Sequence, residues 1–186
     1  MSTFDVRRTV EDIVAVMSLT ELADHIEATH HVYLSEELPR LMAMTREVTA
    51  IHGGSDPRLQ QVQETFRAMA AELCGHMIKE ENCLFPLIRQ LEATDRPPST
   101  DCCSVAGPIR QMEFEHDEAD SALVRLRKLT DDFTPPEWAC SKYRVLLDAL
   151  AHLEQDMHLH IHKENDVLFP RALELEAQRQ RGLPVA

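Results

Sequence analysis

The chain has 186 residues and a formal net charge of −13, a length that suits one domain with one sizeable core. The acidic balance argues against nucleic acid and anionic membrane as partners, and no run of about 18 apolar residues marks a transmembrane helix. With 5 glycines in the chain, no β-branched runs, and Leu, Ala, Glu, Arg and Met common, the composition favours helices over strands.

The N-terminal stretch MSTFDVRRTVEDIVAVM carries acidic residues within its apolar part and has no small-residue cleavage site, so no signal peptide is read there. Residues 1–18 form an N-terminal segment holding a short amphipathic helix, about Val6 to Met17. Ser18-Leu-Thr-Glu21 fits a capping box. It opens a helical segment from about Leu19 to Ile51, which ends at the breaker HGGSDP, His52 to Pro57. A second segment runs from about Arg58 to Ala93 and ends in ATDRPPSTDCCSVAGP, Ala93 to Pro108. A third runs from about Pro108 to Leu129 and ends in TDDFTPPE, Thr130 to Glu137. The fourth runs from about Pro136 to Gln180, and a tail follows over residues 181–186. Four long helices over residues 19–180 predict an all-α, antiparallel up-down four-helix bundle. Pro39, Pro86 and Pro170 fall within these patterns and should kink or stop their helices.

The eleven residues HMIKEENCLFP, from His76, return as HIHKENDVLFP from His160, with six of the eleven unchanged. Apolar periodicity places the polar members of this repeat on the inward face. In the second segment Phe66, Met69 and Leu73 lead to His76 and Glu80, and then to Leu84 and Leu87. In the fourth, Leu146, Leu150, Leu153 and Met157 lead to His160 and Glu164, and then to Leu168. In the third, His116 lies on the stripe of Ile109, Met112, Ala119, Leu123 and Leu126. An inward carboxylate costs several kcal/mol unless it is paired, and His and Glu at i and i+4 can reach one metal. His31 precedes His76 by 45 residues and His116 precedes His160 by 44. Two copies of one helical hairpin therefore each offer a lone His and a His-x-x-x-Glu. His30 competes with His31, since it shares a stripe with Leu34, Leu38 and Leu41; the repeat offsets favour His31. Four imidazoles and two carboxylates suit iron, manganese or zinc better than calcium or magnesium. Glu72 and Asp156, four residues before His76 and His160, are candidates to orient a ligand imidazole, with Glu115 and Asp120 as further candidates beside the metals.

These residues resemble the hemerythrin-like (HHE) domain, and within it the iron–sulfur cluster repair di-iron proteins (the RIC family). The resemblance rests on HHVYLSEELPRL, HMIKEENCLFPLI, GPIRQMEFEHDEA and HIHKENDVLFPRAL and covers about residues 20 to 175. It implies a four-helix bundle holding two non-haem iron ions, oxo or hydroxo bridged. The metal ligands it implies are His31, His76, Glu80, His116, His160 and Glu164. The implied role is repair of iron–sulfur clusters damaged by nitric oxide or oxidative stress, with dioxygen, nitric oxide and damaged iron–sulfur proteins as partners. Two departures stand out. Family members often carry an N-terminal domain with a Cys-Cys pair, whereas the 18 residues before the first long helix contain no cysteine. The oxygen-carrying hemerythrins have a second histidine four residues along the third helix, where this chain has Asp120.

Cys74, Cys83, Cys102, Cys103 and Cys140 show no disulfide-framework spacing, so the cytoplasm is the expected compartment. Cys102-Cys103 is a candidate redox pair, and Cys74, Cys83 and Cys140 are expected as buried small hydrophobes. His158 and His162 fall off the face of His160 and are expected in solvent. Beside repair, the open di-iron site admits an oxygen or nitric oxide sensor, an iron store, or an enzyme with oxidase, peroxidase-like or nitric oxide-reducing activity.

Overall fold

The computed structural model describes residues 14, 16–94 and 104–181. Most of the expected N-terminal helix, the tail beyond Arg181 and the Cys102-Cys103 pair lie outside the described residues. The fold is all-α, with four long helical rods of the hemerythrin-like four-helix-bundle class. The first rod comprises α1 (Leu19–Ile26), a π-helical turn Glu27–His31 and α2 (Val32–His52). The second comprises α3 (Arg58–Lys79), a π-turn Glu80–Leu84 and α4 (Phe85–Ala93). The third is α5 (Ala106–Leu129). The fourth comprises α6 (Ser141–His162), a π-turn Lys163–Leu168 and α7 (Phe169–Gln180).

The chain divides into two compact units, each drawing on all four rods. In the unit holding α1, α4 and α7, one hydrophobic cluster joins Leu19, Leu22 and Ile26 to Leu84, Phe85 and Ile88, and to Leu168, Phe169 and Ala172. Helix α1 starts with the predicted capping box: the Glu21 N–H donates to Ser18 Oγ, and the Ser18 N–H donates to the Glu21 carboxylate. The next amides are capped from a distance. Glu92, at the end of α4, accepts from the N–H groups of Leu19 at 2.8 Å and Thr20 at 2.9 Å. Glu176 of α7 does the same for the start of α5, accepting from the Val105 N–H at 3.0 Å. Both carboxylates meet the positive end of a helix, where anions are favoured.

In the other unit, Leu34, Leu38, Leu41, Phe66, Leu73, Leu123, Leu126, Leu146, Leu150 and Leu153 are buried. Its connections carry ion pairs, with Arg58 bonded to Asp56 and Asp131, and Arg127 to Glu154 and Asp132. The fourth rod begins at Ser141, five residues after the predicted Pro136. Residues 136–140 form a turn, with the Ala139 N–H bonded to the Pro136 carbonyl and the Arg144 guanidinium holding the carbonyls of Pro136, Glu137 and Ala139. Before it, Asp131, Asp132 and Phe133 take positive φ values of 49°, 57° and 58°. Aspartate tolerates this region; Phe133 is held there by its buried ring beneath Arg127 and by donation of its N–H to Thr130 Oγ1.

The prolines do not end their helices. Pro39 lies inside α2, and Pro86 and Pro170 sit in the first turns of α4 and α7, each just after a π-turn. There the N–H groups of Phe85 and Phe169 reach back five residues, to the carbonyls of Glu80 and Glu164. The wider turn absorbs the proline, which has no N–H to offer the normal ladder.

Burial raises the pKa of Glu92, but hydrogen bonds from Thr20 and Leu19 and the Arg171 charge outweigh it and hold the carboxyl below the ordinary glutamate range. A depressed pKa stabilises the fold above the unfolded value of about 4.3, and that stabilisation is lost as pH falls through the folded value. Glu92→Ala should therefore cost about 1 kcal/mol at neutral pH. The difference in Tm between variant and parent, measured by circular dichroism, should shrink as pH falls below about 4.

Candidate metal centre

Three π-turns occur among the described residues, and each carries members of the repeat. One extra residue per turn rotates the helix face, so adjacent residues both point inward. At these turns Leu84 and Phe85 are both buried, as are Leu168 and Phe169, and as are His30 and His31.

Two sets of four side chains bring their donor atoms together. His31, Glu80, His160 and Glu164 form one set, and His76, Glu80, His116 and Glu164 form the other; within each, one donor atom per residue lies within 4.8 Å of all the rest. Glu80 and Glu164 belong to both sets and are fully buried, at 0% exposure. All four histidines are buried as well. His76 Nε2 and His116 Nε2 are 3.1 Å apart, and His160 Nε2 lies 3.1 Å from a Glu164 oxygen. Bonds of about 2.0–2.2 Å to a metal put neighbouring donors about 3 Å apart and opposite ones about 4.3 Å apart. Both figures fit these separations. The chemistry of the donor set fits too: borderline nitrogen donors with two shared anions suit a transition-metal cation, and two sets with common carboxylates suit a pair of them.

The surrounding hydrogen bonds orient the rings. The His76 Nδ1–H donates to Glu115 at 3.0 Å, which leaves the Nε2 lone pair directed toward His116. Asp156 accepts from His30 Nδ1 at 2.9 Å. His30 is thus bonded to a carboxylate, while His31 supplies the donor atom in the first set. Tyr33, two residues on, is pushed up to about 12 by burial and by the Glu37 and Asp156 carboxylates, so its phenol keeps its proton. Glu72 is exposed on α3, just outside the inward stripe of Met69, Leu73 and His76. Asp120 is half-buried and lies 3.7 Å from His158.

One neighbour was absent from the sequence reading. Lys163 is buried and its ammonium donates to His25 Nε2 at 3.0 Å, immediately before Glu164 in the chain. Its place in the repeated Lys-Glu pair was visible, but its burial was not, since the equivalent Lys79 beside Glu80 is exposed. Cys74, Cys83 and Cys140 correct an expectation: all three are exposed. Cys74 and Cys83 face away from the stripes of the second rod, and Cys140 lies in the turn before α6, outside the fourth rod altogether.

An all-helical protein that gathers imidazoles around two shared, buried carboxylates belongs to the metal-binding helical bundles. The hemerythrin HHE cation binding domain matches residues 22–172, and the chain belongs to that family. It is 36% identical over 156 residues to a probable iron-sulfur cluster repair protein of Haemophilus influenzae, covering 84% of this chain and 66% of that protein. It is 37% identical to the iron-sulfur cluster repair protein YtfE of Edwardsiella ictaluri, and 35% identical to YtfE of Escherichia coli O1:K1, each over 83% of this chain and 66% of the relative. The chain thus spans about two thirds of the length of the curated relatives it matches. No helix among the described residues is long and apolar enough to cross a membrane.

Replacement of His31 by alanine should remove bound metal measured by plasma emission, while His30→Ala should retain most of it. Glu115→Gln should weaken metal binding about 10- to 100-fold, as loss of a carboxylate behind a ligand imidazole does, read by competition with a chelator.

Proposed function

We propose that this chain binds two iron ions through His31, His76, Glu80, His116, His160 and Glu164, and that it helps restore iron–sulfur clusters damaged by nitric oxide or oxidative stress. The observation that carries the two-ion reading is the sharing of Glu80 and Glu164 between two donor sets. A carboxylate has two oxygens, so each glutamate can serve both ions. The repair role draws on the relatives named as cluster repair proteins. Bound iron would supply redox chemistry and an affinity for small diatomic molecules such as nitric oxide and dioxygen, or iron itself for delivery.

The protein's own part is positional. His76 is oriented by Glu115 and so presents an unprotonated Nε2. Glu80 and Glu164 supply two negative charges where water is excluded, which favours the more highly charged state of a cation. With four imidazoles, two carboxylates and no further histidine at position 120, six protein donors serve two ions and leave positions for an exogenous ligand. Damaged iron–sulfur proteins are the proposed partners and the cytoplasm the proposed compartment, in keeping with residues 19–180 acting as one di-iron module.

The test starts with iron content and the visible spectrum of the purified protein. About two irons per chain are expected, with absorption that changes when nitric oxide is added. Addition of the loaded protein to an iron–sulfur enzyme inactivated by nitric oxide should then restore its activity, whereas Glu80→Ala and Glu164→Ala should neither hold two irons nor restore it. Two irons that respond to nitric oxide without any restoration would overturn the repair role in favour of a sensor or iron store.

A further inference from the structure

The described cysteines differ in their surroundings. Cys74 lies in the middle of α3 and Cys83 within the π-turn Glu80–Leu84, positions where the local amides already serve the helix ladder. Cys140 immediately precedes α6, and its carbonyl accepts the Arg144 N–H, so it occupies the cap position of that helix. Its sulfur lies 3.0 Å from His52 Nε2, at the end of α2. The imidazole is held in place by rings on two sides, stacked on Tyr143 at 5.8 Å and tilted against Trp138 at 5.7 Å. The Tyr143 hydroxyl is in turn tied to Asp56. The thiol is exposed, so a reagent can reach it.

We propose that Cys140 and His52 form a thiolate–imidazole pair that reacts with low-molecular-weight disulfides, making Cys140 a site of reversible mixed-disulfide formation. The Cys140 proton passes to His52 Nε2. The Cys140 sulfur then attacks one sulfur of the small disulfide, the old S–S bond breaks, and the departing thiolate leaves with its electron pair. One disulfide is exchanged for another, and the reverse exchange with a small thiol releases the protein. The same contacts favour the anionic sulfur: the hydrogen bond with His52, then the Tyr143 and Lys142 amides at the start of α6, hold the thiol below the ordinary cysteine range. This chemistry needs neither the metal ligands nor bound iron.

The test uses the full chain and an aromatic disulfide in excess at neutral pH, with each cysteine followed by peptide mass spectrometry. Cys140 should be modified about ten-fold faster than Cys74 or Cys83, and the peptide carrying Cys102 and Cys103 is scored separately. His52→Phe, checked by circular dichroism for an intact helical fold, should bring Cys140 down to the rate of the other two. His52→Gln provides a second variant, which retains a hydrogen-bonding group but no proton acceptor, and it should also be slow. Equal rates at Cys74, Cys83 and Cys140 in the parent, or an unchanged Cys140 rate in a folded His52 variant, would overturn the proposal.

Discussion

The burial of Glu80 and Glu164 is the constraint from which the rest follows. Each carboxylate removed from water costs several kcal/mol unless an opposite charge or donor meets it. Their neighbours in both donor sets are imidazoles, which are neutral unless protonated and so do not by themselves balance two anions. A bound cation would, and metal binding would then become part of the stability of the fold. On the proposed reading, the metal chemistry of the domain and part of its folding energy reside in the same six side chains.

The π-turns show how the helices meet that constraint. A regular α-helix returns to the same face at i+4, which suffices to align His76 with Glu80 and His160 with Glu164. The adjacent pairs Leu84–Phe85 and Leu168–Phe169 then close the cluster with α1. The helix widens at each glutamate, over Glu80–Leu84 and Lys163–Leu168, and so accommodates the proline that follows. The repeat therefore records more than ligands: its Leu-Phe-Pro ending is the sequence of a π-turn that passes into a new α-helical segment. Local irregularity is concentrated where the donors are, and the outer parts of the rods remain regular.

The long rods, the first capping box and the inward stripes were legible because they depend on local spacing. Ser18 and Glu21 are three residues apart, and Ile109, Met112, His116 and Leu123 repeat at helical period. The start of the fourth rod was misplaced by five residues, since Pro136 is acceptable in a first turn but Arg144 instead gathers the carbonyls of the preceding turn. The exposure of Cys74 and Cys83 was misjudged for a different reason: a small apolar residue says little about its side of a helix when the stripe beside it is already complete, while Cys140 lies in the turn that replaces the expected helix start. The choice between His30 and His31 rested on a repeat offset, because His30 also shares an apolar stripe; in the fold His31 offers a donor atom to the first set and His30 is bonded to Asp156.

By itself the sequence determined four helical segments and a doubled His-x-x-x-Glu with a lone histidine before each copy. Composition and i, i+4 periodicity are properties of the local chain, so they can be read without coordinates. Only the tertiary structure decided that both glutamates enter both donor sets, that Glu115 orients His76, that Asp156 holds His30, and that Lys163 turns inward to His25. It also decided that His52 and Cys140, 88 residues apart, lie within hydrogen-bonding distance. These partners are distant in sequence, and only packing of the rods selects which side chains meet.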